Sequence, residues 1–222
     1  AHSLGATYNG KKSGNIADFT AFSFHAVKNL TTAEGGAVTW KKNEKFSDEK
    51  LYRDLMLLCL HGQTKDALAK TKSGGWEYDI AIPGWKHNMA DLNAAIGISQ
   101  LKRYDKEILG GRKKLTERYF ENFLDYERLI LPTLCTSDRE SSYHLFQLRI
   151  EGIKEEKRNK LILTLAEQGI PTNVHYKPLP LFTAYSNLGF KINNYPIAVT
   201  TYENEITLPL HNLLSVEDID FI

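Results

Sequence analysis

Cysteine is scarce in this chain, with only Cys59 and Cys135 among 222 residues. Far apart in the sequence, they supply neither a disulfide framework nor a structural zinc site, and free thiols point to a reducing, cytoplasmic compartment. A surplus of one charge is missing too: 28 Lys and Arg face 27 Asp and Glu for a net charge of +1. That balance removes the electrostatic footprint of a nucleic-acid or anionic-membrane binder. Trp76 and Trp85 near Lys70 and Lys72 resemble a base-stacking platform only until this neutrality is weighed against it. Apolar runs extend a few residues, far short of the ~20 that span a bilayer. The seven histidines show no HExxH pattern and no acidic partners at ligand spacing, so no metal site is expected. No GxSxG, Walker or GxGxxG loop occurs, which removes the common hydrolase, NTPase and dinucleotide readings.

What remains is an α/β chain with 42% hydrophobic and 25% charged residues, the balance of a folded globular protein. Its 25.2 kDa predicts roughly 10,300 Å² of accessible surface for a compact fold. Asp18–Phe24 reads as a buried strand, and Ala37–Trp40, after Gly35-Gly36, as another. Asn43–Leu60 is helical, with Leu51, Leu55 and Leu58 on one stripe. Residues 61–87, with Gly74-Gly75-Trp76 and Pro83-Gly84-Trp85, read as a long loop of the kind that is usually functional. Met89 to about Tyr126 is helical, with an apolar stripe at Met89, Leu92 and Ile96 and a break at Gly110-Gly111. Then come a strand over Tyr143–Glu151, a helix over Lys154–Gln168, a strand over Ile170–Tyr176, a helix near Pro196–Asn204, a strand over Ile206–Leu210 and a last helix opened by Ser215. The change of order divides the chain into residues 1–108, the end of a large α/β domain, and residues 109–222, a small α+β domain.

One segment carries chemistry on its own terms: Ser23-Phe24-His25-Ala26-Val27-Lys28-Asn29-Leu30-Thr31-Thr32-Ala33-Glu34-Gly35-Gly36. A lysine just past a buried strand, in a loop closed by two glycines, is held near the core. There its amine can be desolvated and kept neutral, as a Schiff-base nucleophile requires. Ser23 at the strand end is placed to bond a phosphate. Composition alone favours the other reading, an exposed loop lysine with its head in water.

The segment closely resembles the lysine motif of the DegT-type sugar-nucleotide aminotransferases, a branch of the fold type I pyridoxal-phosphate enzymes: Ser-Phe-His, two residues, the Schiff-base lysine, Asn and a later Glu-Gly-Gly. Ala1-His2-Ser3-Leu4-Gly5-Ala6 resembles the tail of the family's Asp-Ala-Ala-His motif, and Pro83-Gly84-Trp85-Lys86-His87-Asn88 its Pro-Gly-aromatic loop. Val174-His175-Tyr176-Lys177-Pro178 and Leu208-Pro209-Leu210 have counterparts as well. The resemblance implies part of the large mixed, largely parallel sheet domain of that fold followed by a small α+β domain. It implies pyridoxal 5′-phosphate bound through Lys28, which also shuttles the substrate proton, with Ser23 on the cofactor phosphate and His2 against the pyridine ring. Asn88 would reach the cofactor phosphate of the other subunit of a homodimer, so that the sites are shared. His175 and Tyr176 would contact the sugar nucleotide. His25 belongs to the motif, where it also shapes the loop, and His87 stands where the family often has an aromatic.

The implied reaction is transfer of an amino group, with glutamate as donor, to a UDP-linked 4-keto sugar (or a 3-keto one) for surface polysaccharide or lipid A. Lys28 separates this reading from the family's dehydratases, which carry histidine there. The family's pyridinium-partner Asp would fall ahead of Ala1, as would its Gly-Thr phosphate loop and ring-stacking aromatic. The chain therefore reads as part of a longer protein, or otherwise as an inactive remnant or regulatory module that keeps the dimer interface.

Overall fold

The structure is a computed structural model that describes residues 1–42, 44, 46–65, 71, 73 and 76–222. Lys70, Lys72, Gly74 and Gly75 of the expected loop lie outside the described residues. The chain forms two compact units, Ala1 with Lys11–Lys102 and His2–Gly10 with Arg103–Ile222. Two short strands come first, β1 (Thr7–Tyr8) in the second unit and β2 (Lys11–Lys12) in the first.

In the first unit, β3 (Phe19–Ser23) and β4 (Gly36–Trp40) pair antiparallel, from Phe19 opposite Trp40 to Ser23 opposite Gly36. Aromatic and β-branched residues suit the pleat, and Phe22 is buried. Helix α1 (Asp48–Cys59) starts where Ser47 Oγ accepts the Lys50 N–H at 3.1 Å, with Asp48 and Glu49 in the first turn, where a carboxylate complements the helix dipole. Trp40 Nε1 donates to Asp48 Oδ1 at 3.1 Å and ties the strand to the helix. The expected loop after α1 is not open at its base. Its two ends are stitched together by Trp85 N–H to Leu58 C=O at 2.7 Å, His61 N–H to Trp85 C=O at 2.9 Å and Thr64 N–H to Asp79 C=O at 2.9 Å. These bonds deliver His87 and Asn88 to the start of α2 (Asp91–Leu101).

Only part of the expected apolar stripe of α2 packs. Leu92 is 82% exposed and Ile96 49%, while Met89 reaches Gly35 of the lysine loop and the adjacent row, Asn93, Gly97 and Gln100, meets the same loop. The reason is polar: that loop turns backbone groups inward that only side-chain amides can satisfy. Phe22 and Leu30 are the buried apolar side chains of this unit among the described residues. Leu92, Ile98, Leu101, Tyr52 and Met56 are left exposed.

The second unit opens on a π-helical turn, Tyr104–Leu109, that runs straight into α3 (Gly110–Phe123). The helical break lies at Lys102–Arg103, not at Gly110-Gly111. A Cβ on Gly111 would come 2.7 Å from Asn212 Nδ2, and that amide donates to the Ile108 carbonyl at 2.8 Å. Glycine is needed there for close approach, not to end a helix.

Strands β5 (Leu129–Ile130), β7 (Phe146–Ile150) and β8 (Glu205–Leu208) form an antiparallel sheet in the order β5-β7-β8, and β6 (Arg139–Glu140) pairs with β1. The core packs Leu115 and Tyr119 of α3 on Phe146, Leu148 and Ile206, with the Tyr119 and Phe146 rings 4.5 Å apart. Around it lie α4 (Glu155–Glu167), α5 (Thr183–Asn187), α6 (Pro196–Asn204) and α7 (Val216–Phe221). Ser215 opens α7 with a reciprocal capping box to Asp218. Residues 170–176 are not a strand. They touch β8 by a single bridge, Asn173 to Thr207, because Gln147 Nε2 takes the His175 carbonyl at 2.5 Å and Glu205 takes its N–H at 2.9 Å. Arg112, buried on α3, donates to the carbonyls of Tyr143, His144 and Leu210 at 3.0 Å each. Burial without a carboxylate pushes its pKa down to about 10. No described helix is long and apolar enough to cross a membrane.

Candidate active site

Ser23 is the last residue of β3, and its Oγ accepts the His25 N–H at 3.4 Å. The chain then turns outward, Lys28 N–H bonding the His25 carbonyl at 2.9 Å, and returns through Leu30 and Thr32, both buried. Phe24 N–H to Gly35 C=O at 2.8 Å and Thr32 N–H to Phe24 C=O at 2.9 Å close the base of the loop. Helix α2 clamps the return arm. Asn93 Nδ2 donates to Thr32 C=O at 2.6 Å, and Gln100 holds both sides of Thr31, accepting its N–H at 3.1 Å and donating to its C=O at 2.6 Å. A Cβ on Gly36 would sit 2.7 Å from the Phe22 carbonyl oxygen, which explains a glycine opposite Ser23. The result is an exposed excursion, His25–Val27, on a fixed base, with Lys28 half-buried at its end. His25 Nε2 lies 3.7 Å from Glu34 Oε1 at the rim.

Asn88 reaches the same unit from the other direction. A cavity of about 600 Å³ is lined by Glu34, Gly35, Gly36, His87, Asn88 and Asn93, with Met56 and Cys59 on its apolar side. Lys86 Nζ donates to Asn88 Oδ1, and the His87 ring stacks on Trp85 with centroids 5.9 Å apart.

His2, His175 and Tyr176 belong to the second unit and lie together there. The His2 ring sits 4.1 Å from that of His144 and 6.2 Å from that of Tyr176, whose hydroxyl is 3.4 Å from His2 Nε2. Ser142 Oγ donates to the His2 carbonyl. Partial burial raises the Tyr176 phenol above its ordinary pKa, so its proton stays on and the hydroxyl is a donor. The His175 ring meets Tyr176 edge-on at 4.6 Å, and its Nδ1 lies 2.8 Å from Thr207 Oγ1. Thr207 in turn donates to Glu205. Glu205 is 2% exposed, and desolvation raises its carboxyl above the usual range against the pull of Thr207, the His175 N–H and Arg158. His175, Tyr176, Thr201, Tyr202 and Glu205 line a cavity of about 510 Å³.

The expected residues thus fall into two sets, Ser23, Lys28 and Asn88 in one unit and His2, His175 and Tyr176 in the other. The first set by itself offers a primary amine, a hydroxyl and an amide, groups that suit a phosphorylated aldehyde. Sequence reasoning missed Asn93 and Gln100, whose spacing with Gly97 marks one helix face. It also missed Ser142 and His144, and the Glu205–Thr207 pair, which alternates onto one side of a strand.

The sequence model of the DegT/DnrJ/EryC1/StrS aminotransferase family matches residues 1–222. The spore coat polysaccharide biosynthesis protein SpsC of Bacillus subtilis is 36% identical over 99% of this chain and 56% of its own length. A UDP-4-amino-4,6-dideoxy-N-acetyl-beta-L-altrosamine transaminase of Campylobacter jejuni is 33% identical over 100% of this chain and 55% of its own. Among solved structures, Spr1654 of Streptococcus pneumoniae, assigned as a sugar aminotransferase, matches in its PMP form with a TM-score of 0.93 and 55% identity, over 100% of this chain and 55% of that one. The same protein has been solved in a PLP form. The chain spans about half the length of the curated relatives it matches.

Proposed function

The chain belongs to the DegT/DnrJ/EryC1/StrS aminotransferase family, and from that premise we propose that its protein is a pyridoxal-phosphate-dependent aminotransferase of nucleotide-linked keto-sugars. In this reading it takes the amino group from glutamate and places it on C4 of a UDP-linked keto-deoxysugar, in the cytoplasm, as a homodimer with shared sites. The observation that carries the reading is the loop from Ser23 to Gly36, which holds a half-buried lysine on an excursion whose base is locked by Asn93 and Gln100. The Campylobacter relative is a UDP-amino-sugar transaminase by name, which supports the UDP-sugar choice. The Bacillus relative is named for spore coat polysaccharide biosynthesis, which supports a surface-polymer product.

When bound, pyridoxal phosphate supplies the electron sink that stabilises a carbanion next to nitrogen. The chain's residues do the rest. Ser23 Oγ at the end of β3 donates to the phosphate. Asn88, poised by Lys86, offers its amide N–H groups to the phosphate in the partner subunit. His2, flanked by His144 and Tyr176, covers the ring. Lys28 Nζ would hold the cofactor and would take a proton from the donor's Cα and later deliver one to the sugar carbon. One amine thereby serves both half-reactions as base and acid. His175 and Tyr176 orient the sugar.

The test is a single-turnover and steady-state assay of the full-length protein with a UDP-4-keto sugar and glutamate, following 2-oxoglutarate. Release of 2-oxoglutarate that depends on the sugar supports the reading. A protein that eliminates water from the sugar instead, or that reacts with neither substrate, contradicts it.

A further inference from the structure

The sheet of the second unit has one apolar face and one polar face. Phe146 and Leu148 of β7 and Ile206 and Leu208 of β8 belong to the core. The residues between them alternate to the other side, where Gln147 stands opposite Thr207 and Arg149 opposite Glu205. The polar face of an antiparallel sheet is ordinarily turned to water. This one is covered at β8, with Glu205 2% and Thr207 5% exposed, and burial raises the Glu205 carboxyl above its ordinary range. A carboxyl group in that position costs free energy that an apolar side chain would not. What it gains is a hold on backbone.

Glu205 Oε2 accepts the His175 N–H at 2.9 Å, and Gln147 Nε2 donates to the His175 carbonyl at 2.5 Å. Two residues earlier, the Asn173 N–H meets the Thr207 carbonyl at 3.1 Å and the Thr207 N–H the Asn173 carbonyl at 2.7 Å. The segment is thus pinned at Asn173 by backbone and at His175 by two side chains, one from each strand. Glu205 is itself held at both ends. Its Oε1 accepts the Thr207 hydroxyl, and its carbonyl accepts from buried Arg158 at 3.0 Å. Tyr176 follows directly, its ring 6.2 Å from that of His2 and its hydroxyl 3.4 Å from His2 Nε2. Tyr176 is 61% exposed. A side chain so open has little packing of its own to place it, and its position comes from the peptide that precedes it.

We propose that Glu205 and Gln147 are positioning residues for Tyr176: gripping the N–H and the carbonyl of His175 from two strands, they set the phenol beside His2, on the wall of the cavity it shares with Lys177 and Tyr202, where it meets the sugar. The sugar contact rests on the function proposed above; the placement of the ring does not. Neither Glu205 nor Gln147 needs to touch the sugar. Both act through the peptide groups of one residue, so the loss of either should be felt at the same phenol.

The experiment uses the full-length protein carrying 3-fluorotyrosine, with the Tyr176 ¹⁹F signal identified by its loss in Tyr176→Phe. Wild type is compared with Gln147→Ala, Glu205→Ala and Glu205→Gln. Gln147 is half-buried, so its replacement leaves the fold standing even where Glu205→Ala does not. Glutamine at position 205 keeps an acceptor for the His175 N–H. The Tyr176 signal should shift or broaden in both alanine variants and return in Glu205→Gln. In the transamination assay the alanine variants should raise KM for the sugar about tenfold, the worth of roughly one hydrogen bond, with kcat little changed. That rise should vanish when the same substitutions are made in Tyr176→Phe, because a group that acts through the phenol has nothing left to act on. A Tyr176 signal unmoved in Gln147→Ala overturns the proposal. So does a KM rise that persists in full in Tyr176→Phe, the mark of an ordinary structural loss. A moved signal with an unchanged KM overturns the role given to the phenol at the sugar. A wild type without transaminase activity removes the proposed reaction, and a moved Tyr176 signal then still upholds the placement of the ring.

Discussion

Gln100 holds the Thr31 peptide by both of its polar groups, accepting the N–H at 3.1 Å and donating to the C=O at 2.6 Å. A single side chain on α2 thus does for the lysine loop what a neighbouring strand does elsewhere. Replacement by alanine leaves two backbone groups without their partners, each worth about 1–3 kcal/mol if water cannot reach it. Gln100→Ala is expected to raise hydrogen exchange at Thr31 and Thr32 at least tenfold and to weaken cofactor binding, with Lys28 itself untouched. Unchanged exchange at those amides would mean that the clamp is not what fixes the loop.

Gly36 is a sharper test of the same base. Its Cβ in an alanine variant would press on the Phe22 carbonyl oxygen at 2.7 Å, which is backbone and cannot rotate away. Gly36→Ala should cost about 1–3 kcal/mol, the range for overpacking, and should disturb Ser23 on the facing strand. Urea denaturation with a resolved Ser23 amide signal reads both effects.

Arg112 is a buried cation whose partners are three carbonyls. A planar guanidinium with five N–H groups can meet all three, whereas a lysine ammonium in the same place cannot span them. Arg112→Lys and Arg112→Met are both expected to destabilise the second unit, by about 2–4 kcal/mol, because carbonyls are left unsatisfied. A fully stable Arg112→Met protein would show instead that water replaces the guanidinium.

Glu205 gives a pH dependence of definite sign. Burial raises its carboxyl above the ordinary 4.5, so the folded state holds this proton more tightly than the unfolded chain does. Its contribution to stability is fully present below about 4.5 and is lost as pH rises through the raised folded value. The stability of wild type relative to Glu205→Gln should therefore fall over that window and level off above it. Denaturation midpoints of the two proteins across pH 4 to 7 check the slope, and a rising difference would contradict the burial argument.

The shared site can be examined by mixing subunits. Hybrids of Lys28→Ala and Asn88→Ala subunits should recover activity in one site per dimer if Asn88 serves the partner's cofactor. Mixtures no more active than either parent would place Asn88 in its own subunit's site.

Much of the scaffold was legible in the residues. Phe19–Ser23 and Gly36–Trp40 announce themselves by aromatic and β-branched content around a glycine pair, and Ser215 with Asp218 is a capping box written in the sequence. Lys28 was readable only through its motif, since a lysine's chemistry depends on where its amine is held. Asn93 and Gln100 were illegible because an amide that satisfies backbone looks, in sequence, like one that faces water. The segment 170–176 alternates as a strand does, yet Gln147 and Glu205 take backbone groups of His175 that a full ladder would need. The apolar row on α2 was right only in part: Met89 meets the loop at Gly35, Leu92 and Ile96 are exposed, and the amides of Asn93 and Gln100 on the adjacent row hold the loop's backbone.

Reductive trapping tests the central claim most directly. Full-length protein incubated with pyridoxal phosphate, reduced with borohydride and digested should yield one pyridoxyl-modified peptide, with the label on Lys28. The visible absorbance of the bound cofactor should vanish in Lys28→Ala. A label on any other lysine, or no label and no absorbance in wild type saturated with cofactor, would contradict the account.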